Sequence, residues 1–368
     1  MMVREAGIGG TERQLAETAR FLDRRRFLPH VACLRPGGIR AEELRQAGIP
    51  LVTFPVHSFA SAGVLKAILE VRRYIRRNGI QLVHTFDTPM NVFGVAAARI
   101  AGTPVILSSQ RAYRELSGPA YRRLLRITDR LVNGVVVNCD AIRRHLISDE
   151  GVSPNRIHLC YNGIDIAQFP AGTSRNEEIV TAGIVCALRM EKNLETLLEA
   201  YAGIRSCGVA SRLVIVGSGP MENILRNRIA SLGIADSVHM EPATRNVSDW
   251  LQKIDVFVLP STSEAFSNSL MEAMASGCAV IASDVGGNPE LISEGTTGLL
   301  FPAGNVRALA ECMQRLLTKP ELRLRLAGNA LSRIREEFTI QAAARRMAQI
   351  YTEQLVRKFP ASAESLAI

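Results

Sequence analysis

LPSTSEAFSNSLMEAMASGCAVIASDVGGNPEL, residues 259–291, decides how this chain folds. The apolar run Val256 to Leu259 leads into it and reads as a buried strand stopped by Pro260. Ser261 to Ser267 is polar and reads as a loop. Asn268 to Ser276 has the pattern of a short helix, with Gly277 where a helix end favours left-handed backbone. Ala279 to Ala282 reads as a second buried strand, and Gly286-Gly287 as a loop. This is a βαβ unit. Its loops gather at the carboxyl ends of the strands, where open α/β sheets bind ligands.

Two carboxylates stand in this unit, Glu264 in the loop and Glu272 in the helix, with seven residues between them. A helix N-terminus and its free amides attract phosphate, which a nearby carboxylate would repel. The glutamates are therefore expected to face hydroxyls, such as those of a ribose and a sugar ring. The structural alternative is a capping box, which Ser269-Leu270-Met271-Glu272 also fits.

The βα rhythm extends along the whole chain and implies doubly wound parallel sheets. Near the start, Gly9-Gly10 opens a helical pattern with Leu15, Ala19 and Leu22 on one face, a phosphate site by geometry. His84 and Asp87 close the strand Gln81 to His84, where a ligand role competes with a structural one. Residues 166–177, rich in Pro, Gly, Ser and Asn, read as a linker. Beyond it, Arg189 and Lys192 stand between a strand and a helix. Cations are disfavoured at that end of a helix dipole, which argues for an anionic ligand such as a diphosphate. Leu213 to Pro220 is a strand with a glycine turn at Gly217 and Gly219.

The 368 residues exceed one ordinary core, so two domains are expected. No apolar run approaches a membrane span, and the start does not read as a signal peptide. The seven cysteines show no zinc or redox spacing and read as core residues in a reducing cytosol. The net charge of +9 is uneven, since residues 1–170 hold 24 Lys/Arg against 14 Asp/Glu. That half is expected to meet something anionic. Arg72, Arg73, Arg76 and Arg77 cluster on one helix, and Arg122, Arg126 and Arg130 on another. Docking on the inner face of the cytoplasmic membrane is one reading, and two solvated helix faces the other.

Glu-x7-Glu followed by AMASGCAVIASDVGGNPELI resembles the retaining glycosyltransferases of family 4, which have the GT-B fold. GGTER at Gly9, NGID at Asn162 with Phe169-Pro170, and the GxGP element at Gly217 are similar to that family's elements in the same order. The resemblance implies two Rossmann-like domains facing across a cleft. They would cover residues 1–165 and 178–340, with a last helix at 341–358 crossing back to the first. It implies that Glu264 lies by the donor sugar and Glu272 binds the ribose. The amides of Phe266, Ser267, Asn268 and Ser269 would approach the diphosphate, with Gly9, Gly10 and Gly217 nearby. The nucleobase would bond to backbone near Val247. Arg189 would stand in for the arginine that relatives carry where this chain has Ala187, joining Lys192 at the leaving group. Gln110, where relatives carry a histidine, Arg111, His84 and Asp87 would stand on the acceptor side. The implied reaction moves a sugar from a nucleoside-diphosphate sugar to a hydroxyl of a glycan or lipid-linked acceptor. No metal, cofactor or nucleic acid is expected. The changes at 110 and 187 keep open a degenerate regulatory subunit, and the fold a GT-B epimerase or phosphorylase.

One expectation concerns the first strand. In the doubly wound order it is central and should be an unbroken apolar run. Met1 to Ala6 is too short and interrupted by Arg4 and Glu5. An upstream apolar segment is therefore expected. Without it the first domain would be the less stable of the two, with an unfilled slot in its core.

Overall fold

Short apolar strands alternate with amphipathic helices and build two sheets in which every pairing is parallel. The structure is a computed structural model and describes residues 1–35, 37–56, 63–172 and 179–360. The chain divides into two units. One is Met1–Gly163 together with the segment from Ile340 onward, and the other is Ile164–Thr339.

The first unit runs β1 (Met2–Val3), α1 (Gly10–Phe21), β2 (Val31–Cys33), α2 (Ile39–Gln46), β3 (Leu51–Thr53), α3 (Gly63–Arg77) and β4 (Leu82–Thr85). It continues with α4 (Thr88–Ala101), β5 (Val105–Gln110), α5 (Pro119–Leu131), β6 (Gly134–Val137), α6 (Asp140–Ser148) and β7 (Ile157–Leu159). The strand order is β3-β2-β1-β4-β5-β6-β7. The order reverses between β1 and β4, so the loops after these strands flank a switch point.

Met2 and Val3 do supply the central strand, contrary to the expectation that the opening residues could not. Met2 pairs with Ala32 on one side and Thr85 on the other, and Val3 pairs with Cys33. Both side chains are buried because a central parallel strand is covered on both faces. The strand is two residues long. Beside it lies a cavity of about 330 Å³, walled by Met1, Phe27, His30, Phe54, Tyr74 and Tyr351 among others.

The second unit runs β8 (Val180–Val185), α7 (Leu194–Ser206), β9 (Ser211–Val216), α8 (Glu222–Ser231), β10 (Val238–Glu241), α9 (Val247–Leu251) and β11 (Val256–Leu259). Then come α10 (Asn268–Ala275), β12 (Ala279–Ser283), α11 (Asn288–Leu291), β13 (Leu299–Phe301), α12 (Val306–Thr318) and α13 (Pro320–Glu337). The order β10-β9-β8-β11-β12-β13 puts its switch point between β8 and β11.

The last helix, α14 (Ile340–Lys358), belongs to the first unit. Met347, Ile350, Tyr351 and Leu355 form the apolar stripe of a surface helix and pack with Val105, Leu107 and Val136 of the sheet. Ile164 groups with the second unit because its amide donates to the carbonyl of Phe338 at 2.9 Å. Of the expected linker, Ile166–Gln168 is a single 3-10 turn, and residues 173–177 lie outside the described residues.

Candidate active site

The two loops at the switch point of the second sheet carry the charged residues. The chain leaves β8, turns once through Met190–Lys192, and enters α7 at Asn193, whose positive φ of 50° lets the turn reverse. That turn aims the Lys192 ammonium at the Glu264 carboxylate in the loop after β11, where the two form an ion pair. The side chains are 18% and 11% exposed. Burial acts to lower the Lys192 pKa, but the charge and hydrogen bond of Glu264 outweigh it, and lysine titrates above its ordinary value.

Glu264 is fixed from behind by polar groups that the apolar sheet would otherwise exclude. Ser261 Oγ donates to Glu264 Oε1 at 2.8 Å. Ser283 Oγ donates to the Ser261 carbonyl at 2.5 Å, and Asn288 Nδ2 to the Ser283 carbonyl at 3.0 Å. All three are fully buried. The Thr262 amide donates to the Glu191 carbonyl at 2.9 Å and ties the glutamate loop to the lysine turn. Gly286, at φ +56°, lets its backbone press against the Glu264 carbonyl, and a Cβ there would lie 1.7 Å from that oxygen. Gly287 donates to Ala265 at 2.7 Å. Sequence reading found the Gly-Gly loop but not its contact, and missed Ser261, Ser283 and Asn288. Small polar residues at and just beyond the carboxyl ends of β11 and β12 were the available signal.

Helix α10 points its N-terminus into the same loop. Its N-cap is Ser267, whose Oγ accepts from the Leu270 amide at 3.3 Å. The capping box considered at Ser269–Glu272 is therefore absent. Glu272 sits in the second turn with its side chain buried. Asn268 and Ser269 are half-buried, and Ser269 Oγ lies 3.2 Å from Ser267 Oγ. The Phe266 ring is buried against Phe338, leaving only its backbone to approach a ligand.

Gly217 and Gly219 serve the lysine loop by packing. A Cβ would come within 1.8 Å of the Cys186 carbonyl oxygen at Gly217 and within 2.4 Å of the Leu188 carbonyl oxygen at Gly219. Val247 begins α9 after the loop that leaves β10, so it is helical and not part of that loop. Arg189 departs from the expected cationic pair. Its side chain is 65% exposed and lies 3.9 Å from Glu191, away from the buried Lys192–Glu264 pair.

In the first unit, Gly9 caps α1 and Gly10 begins it, at the switch point. Across that point Asp87 accepts from the Arg4 amide at 2.5 Å and caps α4 by accepting from the Met90 amide at 2.9 Å. Burial pushes its carboxyl up to about 6, with Glu12 adding to the rise. The folded state therefore holds this proton more tightly than the unfolded chain. That contribution to stability is full below the unfolded value near 4 and is lost as pH rises through about 6. Asp87→Asn should remove this term, so its stability deficit against the native protein should shrink between pH 4 and pH 7, as followed by urea melts. A deficit constant over that range would contradict the assignment.

His84 does not reach a ligand site. It is 0% exposed, with Nδ1 2.7 Å from the Tyr351 hydroxyl and Nε2 2.9 Å from Ser109 Oγ. Burial holds its pKa well below the ordinary value. Nδ1 thus ties β4 to α14 and Nε2 ties it to the neighbouring strand β5, so both ring nitrogens are engaged inside the unit, which corrects the acceptor-side expectation. Gln110 is likewise buried, donating to the Ala112 carbonyl and accepting from Arg114 Nε. Arg111 donates to Asn162 Oδ1 at 3.0 Å and stacks over Phe86. Burial lowers its pKa to about 10. Sequence reading also missed Gln14, which both donates to and accepts from the backbone of Gly163 and so anchors α1 to the end of the unit.

Among the described residues, one carboxylate–histidine group is close enough to be considered for a metal: Glu115, His145 and Asp149. Glu115 faces Nε2 at 3.6 Å and Asp149 faces Nδ1 at 2.7 Å. The two carboxylates thus meet different nitrogens of the ring.

The family model described as Glycosyl transferases group 1 matches residues 165–333, and Glycosyltransferase Family 4 matches residues 8–168. The lipopolysaccharide core biosynthesis mannosyltransferase LpsB of Rhizobium meliloti is 28% identical over 220 residues, 55% of this chain and 62% of LpsB. The D-inositol 3-phosphate glycosyltransferase of Thermobifida fusca is 30% identical over 67% of this chain and 64% of its own. The matched segments thus span somewhat under two thirds of these relatives. Anabaena HepE, solved in complex with UDP-glucose, superposes with a TM-score of 0.84 at 21% identity, covering 96% of this chain and 98% of HepE. Its likeness establishes the GT-B fold class. Matched by one family model along each half, the chain belongs to the group 1, family 4 glycosyltransferases.

Proposed function

We propose that this protein transfers a sugar from a nucleoside-diphosphate sugar to a hydroxyl acceptor, with retention of the anomeric configuration. The observation that carries the reading is the buried Lys192–Glu264 pair beside the N-terminus of α10, at the switch point between β8 and β11. The lysine and the helix amides suit the diphosphate, and the carboxylates Glu264 and Glu272 suit hydroxyls of the sugar and ribose. In the reaction the bond from the anomeric carbon to the phosphate oxygen breaks, and an acceptor oxygen bonds to the same carbon. The diphosphate leaves with the electron pair. Charge grows on that group as it departs, so a fixed cation and oriented amides lower the barrier as well as binding the donor. His84 has both nitrogens engaged and Gln110 is not basic, which supports passing the acceptor proton to the departing phosphate oxygen.

UDP-glucose, with which HepE was solved, is the first donor to try. Incubation with UDP-, GDP- and ADP-sugars and a panel of hydroxyl acceptors should release nucleoside diphosphate only when an acceptor is present. The product's anomeric coupling constant should match that of the donor. Donor binding without turnover on any acceptor would favour the regulatory-subunit reading, and inversion would refute retention. Glu272→Ala should weaken nucleotide binding about 10²-fold while leaving folding intact, measured by calorimetric titration with the free diphosphate. Unchanged affinity would remove Glu272 from the ribose site.

A further inference from the structure

The helices α3, α4 and α5 form one layer on the first sheet, with α4 packed between the other two. The layer faces outward in an unusual way. α3 buries Ala67, Val71 and Ile75 and turns Leu65, Lys66, Leu69, Arg73, Arg76 and Arg77 to the outside. α5 is apolar on both sides, burying Leu125 while leaving Leu124 and Ile127 exposed beside Arg123, Arg126 and Arg130. Leu65, Leu69, Leu124 and Ile127 are 42–68% exposed, and Ile100 and Leu116 on the same layer are also exposed. Five of the eleven large exposed apolar side chains among the described residues therefore fall on these three helices, and a sixth, Leu116, on the turn that leads into α5.

Charge identifies what covers such a face. Arg122 and Arg126 pair with Glu150. Among the described residues Lys66, Arg73, Arg77, Arg123 and Arg130 form no ion pair. Cations flanking exposed leucines are disfavoured in a protein core and favoured at the boundary between anionic headgroups and acyl chains. We infer that the α3–α5 layer docks on an anionic lipid surface, with the leucines entering the headgroup boundary and the arginines pairing with lipid phosphates.

The topology gives the docking a direction. In a parallel sheet each crossover helix starts near the carboxyl ends of the strands. Leu65, Leu69, Leu116 and Leu124 lie at or before the early turns of α3 and α5, on the end of the sheet that carries Gly9, Gly10 and Arg111. A lipid-borne acceptor would thus be presented to the substrate end of this unit; this last step alone rests on the glycosyl-transfer reading.

The test is sedimentation of the full chain with phosphatidylcholine vesicles, with and without phosphatidylglycerol, at low and high salt. Native protein should bind the anionic vesicles and retain a fraction of that binding in high salt, because the leucines do not depend on charge. Arg73→Gln with Arg77→Gln should lower partitioning about 25-fold at low salt, roughly fivefold per cation. Leu65→Ser with Leu69→Ser should sharply reduce the salt-resistant fraction. All these side chains are at the surface, so melting temperature and binding of free nucleotide should be unchanged in each variant. Equal or absent binding to both vesicle types overturns the inference. So does a native dimer that the leucine variants convert to monomer with vesicle binding unaffected, which would make the face a contact between copies. Vesicle binding without transferase activity would leave the docking standing and refute the transfer reading instead.

Discussion

Glu264→Gln should lower kcat about 10²- to 10³-fold, with a much smaller change in donor KM. Glutamine keeps the length and can still accept from Ser261, so the loop has little reason to move. What disappears is the charge. The Lys192 ammonium is largely buried and has Glu264 as its anion. Without it, lysine is left partly uncompensated, its pKa should fall, and the unit should lose about 1–3 kcal/mol of stability. The change in turnover should exceed anything this loss explains, because the fold would stay populated. Lys192→Gln should act on the same step from the other side by removing the cation beside the departing diphosphate.

The two variants together are the more discriminating measurement. Residues acting as one unit lose no more in combination than in the worse single variant, whereas independent contributors multiply their losses. The double variant is expected to match the worse single one and to recover part of the lost stability, since neither charge is then buried alone. Native turnover in Glu264→Gln would sink the assignment, and multiplied losses would show that the pair does not act as a pair.

Gly286→Ala should have the largest structural effect of any single methyl group added near the site. The new carbon would lie 1.7 Å from the Glu264 carbonyl oxygen, and the backbone at φ +56° is itself unfavourable for alanine. Neither the carbonyl nor the Gly287 amide bonded to Ala265 can swing aside as a long side chain could. Relief requires the loop bearing Glu264 to retreat, which would break the contact with Lys192. We expect a loss of about 2–4 kcal/mol and a fall in turnover like that of Glu264→Gln. Gly304→Ala provides the control. Its φ is +74°, yet no atom lies within 4 Å of the added carbon. It should cost only about 1–2 kcal/mol and leave kcat unchanged. Equal losses in the two variants would mean that backbone conformation, and not contact with the glutamate loop, sets the requirement at Gly286.

Residues 256–291 carry their fold locally. Apolar runs of strand length, a helix pattern closed by Gly277 at φ +75°, and a Gly-Gly turn are short-range signals, and the βαβ unit forms from them. The separation of Glu264 from Glu272 was legible for the same reason, as one falls in a loop and the other on a helix with few alternatives. Local signals failed where a residue's role depends on partners distant in the chain. His84 ends a strand and looks available, yet Tyr351, 267 residues away, occupies one of its nitrogens. Arg189 and Lys192 are three apart and looked like a pair, but the Asn193 turn directs one inward and leaves the other in solvent. The strand Met2–Val3 was judged too short because hydrophobic run length is a property of the sequence. What holds it is pairing on both sides, to Ala32, Cys33 and Thr85, which only the closed sheet provides. Sequence by itself determined most of the strands and helices and the chemical types at the site. Tertiary structure decided which of those side chains meet, because an ion pair or a buried hydrogen bond is fixed by distance in space, and that distance is set by strand order.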